Sequence, residues 1–184
     1  MVQEPHVSLD GHLTSVLFHV SEERGIERFE PRMSEGASEP VVWAIDTDRL
    51  RNYLLPRECP RVTYYAGRDT NAADVDRFLG SSTAVIAIEQ GWFERVRSCR
   101  LYCYHMPTDT FGCLDECAGY FVSRLPVVPA SVEVIDDPIS ELVKRGVDLR
   151  IVPNLWPLRD AVVASSLQFS IIRMRNARST PCPT

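Results

Sequence analysis

His19 sits inside an apolar run near the start of the chain, Val16-Leu17-Phe18-His19-Val20-Ser21. Its β-branched and aromatic neighbours predict a strand. A strand end that hands an imidazole to a loop is a place where a ligand can be held or a proton moved. The competing reading is a core histidine bonded to a nearby carbonyl. Arginine forms the second cluster, in Pro56-Arg57-Glu58-Cys59-Pro60-Arg61. Arg57 and Arg61 beside this proline-stiffened turn present planar donors that suit a phosphate. Paired instead with Glu58 or Asp69, they would be ordinary solvated ion pairs.

Trp43, Tyr64 and Tyr65 fall in predicted strands, where a large ring either packs in the core or stacks on a flat ligand. Successive strand residues face opposite sides, so at most one of Tyr64 and Tyr65 reaches any given pocket. Among the acids, Asp46 reads as a helix cap. Asp160 follows Arg159 on a helix and reads as solvated. Glu116 lies in a loop just before the strand 119–123 and is the acid best placed for a cleft. Arg173 and Arg175, with Asn176, either line a pocket or pair at the surface, while Trp156, Phe169 and Ile172 read as core.

Six cysteines occupy positions 59, 99, 103, 113, 117 and 182. Cys103, Cys113, Cys117 and His105 make a metal set conceivable, but the Cys-x3-Cys spacing is not a zinc knuckle. On a strand over 99–106, Cys99 and Cys103 stand roughly 13 Å apart, too far to share one ion. Buried, inert thiols are the alternative, and no metal is assigned. The chain lacks a Gly-x-Ser-x-Gly elbow, a Walker loop, a Gly-x-Gly-x-x-Gly fingerprint and a His-Glu-x-x-His pair. No carboxylate pair has the spacing of a two-acid hydrolase.

These residues need a scaffold, and 184 residues suffice for one core without staples. Apolar residues make up 45% and charged ones 24%, as in ordinary globular chains. A formal net charge of -5 argues against general nucleic-acid binding. Lys144 is the only lysine, so any anion site must be built from arginine. No apolar stretch spans a bilayer and no signal pattern opens the chain, which predicts a cytoplasmic protein with reduced thiols and no membrane partner.

Strands are expected over 15–20, 41–45, 61–66, 83–89, 99–106, 119–123, 130–135 and 147–152. Helices are expected from Asp46 or Thr47 to Leu55, from Thr70 or Asn71 to Gly80, from Ile139 to Arg145, and onward from Pro157. The segment 166–176 fits a strand or a helix. Strands come in adjacent pairs without a regular crossover helix. The expected fold is therefore α+β, with a mainly antiparallel, curled or split sheet and about four short helices. A loose leader over 1–13, one domain over 14–176 and a tail over 177–184 complete the layout.

Several blocks together resemble a family of bacterial proteins of unknown function. They are the 17–22 block Leu-Phe-His-Val-Ser-Glu, Ile26 to Arg32, Val42-Trp43-Ala44-Ile45-Asp46, Pro56 to Val62, Leu155 to Asp160, and Phe169 to Ala177. That resemblance covers nearly all of 16–177 and brings no activity. At the level of fold, the aromatic-His strand end, the split sheet and Tyr120-Phe121-Val122-Ser123 before Val127-Val128-Pro129 are similar to the ADP-ribosyltransferase superfamily, including NAD-using RNA phosphotransferases. The similarity implies that His19 holds the NAD ribose, that Tyr65 or Trp43 stacks on nicotinamide, and that a late acid supports transfer. The matching strand reads Gly119-Tyr120, so Glu116 is only the nearest acid. The expected function is binding of NAD, as a substrate, or a related nucleotide in a cleft of His19, Trp43, Arg57, Arg61 and Tyr65. The alternative is a non-enzymatic ligand- or protein-binding domain.

Overall fold

The computed structural model describes residues 16–34, 36–116 and 118–179. The expected leader over 1–13 lies outside them, as does the expected tail beyond residue 179. Among the described residues, ten strands form two sheets. They are β1 (Leu17–Ser21), β2 (Val42–Asp46), β3 (Arg61–Tyr65), β4 (Ala84–Glu89), β5 (Leu101–Met106), β6 (Gly112–Asp115), β7 (Tyr120–Ser123), β8 (Ser131–Ile135), β9 (Val147–Val152) and β10 (Gln168–Ile172). The larger sheet runs β6-β7-β2-β1-β5-β8 and is antiparallel throughout. The smaller runs β10-β3-β4-β9, with β4 and β9 parallel. The fold is α+β with a split, mostly antiparallel sheet.

Residue pattern explains this arrangement. Every residue of β4, Ala-Val-Ile-Ala-Ile-Glu, is buried, as a strand covered on both faces requires. Ile86 and Ile88 meet Phe18, Ile45, Leu101 and Cys103 between the sheets. Val85 and Ala87, on the opposite face, pack with Val62 and Tyr64 under α4 (Trp156–Val163), whose Leu155 and Val162 close that core. Alternation along β3 sends Val62 and Tyr64 to this outer layer, and Arg61 and Thr63 the other way. A third cluster, including Leu17, Phe29, Ala44, Tyr104 and Phe121, covers the far face of the larger sheet.

Three other helices occur, α1 (Ala72–Asp74), α2 (Phe93–Ser98) and α3 (Pro138–Lys144). Asn71 caps α1 by accepting from the Asp74 amide at 2.8 Å, and a wider π turn carries the chain on to Leu79. Asp137 caps α3 in the same way. Where a helix was expected over 47–55, Asp46 does accept from the Arg49 amide, but only a 3-10 turn, Leu50–Tyr53, follows. Leu50, Leu54 and Leu55 all point into the core there, a burial pattern too dense for one amphipathic face. The segment 166–176 resolves into β10 and a 3-10 turn, Met174–Asn176. Phe169, expected in the core, is 43% exposed because β10 is an edge strand. β5 begins at Leu101, not Cys99.

One irregularity matters for function. β1 pairs with β5 over five residues, but with β2 only at Leu17↔Asp46 and Phe18↔Ile45. Beyond Phe18 the two strands part, and a cleft opens at the split.

Candidate ligand-binding site

His19 is the first residue after the strands separate. Its Nδ1 lies 2.9 Å from the Trp43 carbonyl. A carbonyl only accepts, so the proton resides on Nδ1 and Nε2 is left as an acceptor. The ring thus bonds a backbone oxygen at the place where the β1–β2 ladder stops. Phe29 packs against the imidazole with centroids 4.7 Å apart. Burial lowers the pKa of His19, the bond to Trp43 opposes that, and the Arg57 charge lowers it further. The imidazole is therefore neutral at pH 7.

The cleft encloses about 1170 Å³ and lies between the end of the larger sheet and the β3–β10 edge. Its first wall carries His19, Trp43 and Tyr120. Trp43 Nε1 donates to Ser34 Oγ at 2.6 Å, and its ring meets Tyr120 edge-on at 5.6 Å. The Tyr53 hydroxyl donates to the Tyr120 hydroxyl at 2.9 Å, and burial raises the Tyr53 pKa, so Tyr53 keeps its proton. Both hydroxyls and the indole N–H have partners, which makes this wall stiff.

The second wall is cationic. Arg61 is 2% exposed and lines the cleft. Its Nε donates to the Asn52 carbonyl at 2.8 Å, and one terminal nitrogen donates to the Pro56 and Cys59 carbonyls at 3.2 and 2.9 Å. All three acceptors are neutral. Burial brings its pKa down to about 10, still charged at pH 7. Arg57 is exposed at the cleft edge, near enough to act on His19. Glu58 pairs with neither of them. It reaches instead to Arg173 at 3.3 Å and Arg175 at 3.2 Å, both cleft residues. Asn176 Nδ2 donates to the Glu58 carboxylate and carbonyl, at 2.9 and 2.7 Å. These contacts hold the Glu58 carboxyl below its ordinary value.

Of the residues expected at the site, the fold brings His19, Trp43, Arg57 and Arg61 to one cleft. Tyr65 is not among its lining residues. Its ring is held under the Arg49 and Arg51 guanidinium groups, at 5.2 and 4.7 Å. Glu116 is also outside the lining, exposed on the turn between β6 and β7. Its neighbour Asp115 lines the cleft instead, as does Glu22. Tyr64 is core, with Arg150 donating to its hydroxyl at 3.1 Å.

Tyr53 and Tyr120 were not singled out from the sequence. Each is an ordinary tyrosine until the fold joins their hydroxyls across 67 positions. Gly119 prepares that meeting. At φ +66 it turns the chain into β7, and a Cβ there would lie 2.5 Å from Asp46 Oδ2.

Cys59 and Cys103 are buried, with thiols pushed up to about 12, and Cys99 to about 11. Burial keeps these thiols protonated at neutral pH. Cys117 lies outside the described residues, and among those described no group of three or more His, Cys, Asp or Glu can hold a metal. No helix among them is long and apolar enough to cross a membrane.

A model of a family of unknown function, DUF6886, matches residues 18–177. The chain belongs to that family. The match spans both walls of the cleft, from Phe18 through Ala177, so the DUF6886 unit is the whole two-sheet body. No curated protein and no solved structure matches the chain.

Proposed function

We propose that the cleft binds a nucleotide-like organic anion, with NAD or ADP-ribose as the ligands of choice. The observation that carries this is the polarity across the cleft. A neutral imidazole with one free acceptor and an indole stand on one wall, and guanidinium groups stand on the other. Nε2 of His19 accepts from a sugar hydroxyl. Trp43 and Tyr120 give a flat ring an aromatic surface. Arg57 and Arg61 take the phosphate charge. A volume of about 1170 Å³ accommodates a dinucleotide.

Thermal shift of the full chain with NAD, ADP-ribose and adenosine tests this. Melting should rise with NAD and ADP-ribose, and the rise should vanish in His19→Ala. A shift that survives His19→Ala removes the assignment. If the glycosidic bond of bound NAD is broken, nicotinamide leaves and the ADP-ribosyl group passes to an acceptor. That is a transfer when the acceptor is a nucleophile other than water, and a hydrolysis when it is water. Asp115, which lines the cleft, is the acid we assign to support it, since Glu116 lies outside. Turnover abolished by Glu116→Ala and retained in Asp115→Asn would reverse that choice. Binding without turnover makes the domain a non-enzymatic nucleotide binder.

A further inference from the structure

The β10 exit carries a cluster that the nucleotide reading does not by itself explain. Arg173 is the one non-glycine among the described residues with a left-handed backbone, at φ 55. Such a conformation is costly for a branched-out side chain and concentrates at functional sites. Its Nε is buried and without a hydrogen bond, although Glu58 Oε1 is 3.3 Å away, out of line for one. Around it, Arg57, Arg61, Arg173 and Arg175 line the same cleft, and among the described residues Glu58 is the one carboxylate ion-paired to any of them. The wall thus holds several positive charges in excess.

We infer that Arg57, Arg61 and Arg173 form a subsite for a phosphate dianion or diphosphate, and that Glu58 is its exchangeable counter-ion. This rests on the nucleotide reading for the rest of the ligand. Glu58 ion-pairs with Arg173 and hydrogen-bonds to Arg175 as an internal carboxylate, and an arriving phosphate takes its place beside Arg173. The exchange is mechanically simple. The Glu58 side chain is 42% exposed, so its carboxylate can swing into water. The backbone bond from Asn176 Nδ2 to the Glu58 carbonyl does not depend on that carboxylate, and it keeps the 173–176 turn in place. Phosphate oxygens match guanidinium forks better than a single carboxylate does, and two negative charges answer the surplus that Glu58 leaves.

Titration calorimetry on the full chain, with pyrophosphate as the charged probe and adenosine as the uncharged one, tests this. Pyrophosphate should bind one to one. Glu58→Gln keeps the shape and an acceptor for Asn176, and should bind pyrophosphate about tenfold tighter, while Arg173→Gln should bind it at least about tenfold more weakly. Arg57→Gln, at an exposed position, should weaken it by less and serves if Arg173→Gln does not fold, as checked by its melting curve. Unchanged pyrophosphate affinity in the arginine variant that folds, or unchanged or weaker affinity in Glu58→Gln, overturns the subsite. NAD binding that needs His19 but ignores Arg173 and Glu58 removes this inference and leaves the nucleotide reading. Pyrophosphate binding that follows these charges, with no NAD or adenosine binding, does the reverse.

Discussion

The two walls of the cleft are built on opposite terms. On the wall of β1, β2 and β7, the ring donors are each matched by another group: His19 Nδ1 to a carbonyl, Trp43 Nε1 to Ser34, and Tyr53 to Tyr120. On the wall of β3 and β10, cations outnumber the carboxylate that pairs with them, and one residue holds a strained backbone. A wall whose donors are satisfied has a set shape and a fixed tautomer, with one imidazole acceptor left for the ligand. An unsatisfied wall gives affinity, because a ligand supplies what the chain lacks. The difference teaches that stability should reside on the first wall and charge selectivity on the second, with Arg61 as the residue that serves both.

Arg61 offers the largest effect. Arg61→Ala leaves three carbonyls without their donor inside the protein and should cost about 3–5 kcal/mol in urea denaturation. A loss under 1 kcal/mol would mean that water replaces the guanidinium and that the carbonyl cage is not structural. Gly119→Ala comes next, at about 2–4 kcal/mol, since it combines a left-handed backbone with a clash on Asp46. His19→Ala removes one hydrogen bond at a cleft edge that water can reach, so about 1 kcal/mol is expected, together with loss of the NAD-induced shift.

Arg173→Gly sharpens the contrast most directly. Glycine accepts φ 55 freely, so stability should hold or rise by about 1 kcal/mol, while pyrophosphate binding disappears. A merely structural Arg173 would show lower stability instead. The smallest effect is the pH dependence of His19. Its folded pKa lies below the ordinary 6.5, so the unfolded chain binds the proton first as pH falls. The contribution is therefore full above pH 6.5 and is lost as pH drops from there through the lower folded value. Melting curves over that window should slope in the wild type and be flatter in His19→Gln.

Most strands were legible because period-two alternation and β-branched runs report local burial directly. β4 could be read as a central strand from Ala84-Val85-Ile86-Ala87-Ile88 alone. β6 was not, since Gly112-Cys113-Leu114-Asp115 is exposed throughout and carries no apolar alternation. Histidine, tryptophan and paired arginines beside proline stand out by type, and the fold brings these four candidates to one cleft. Tyr65 and Glu116 were drawn toward the cleft by the same reasoning, but side-chain direction placed them elsewhere. Tyr65 leans onto arginines of the preceding turn, and Glu116 falls on the exposed turn one residue past Asp115, the residue of that pair that lines the cleft.

The chain's own order of residues determined which segments become strands, that anion binding must use arginine, and that an imidazole stands at the end of β1. Those properties depend on side-chain chemistry and short-range period. Only the tertiary structure decided that β1 and β2 part after Phe18, that Glu58 turns to Arg173 and Arg175 more than a hundred positions away, and that Tyr53 meets Tyr120. Such pairings follow from how two sheets stack and where an edge strand ends, and local sequence carries no record of distance across a core.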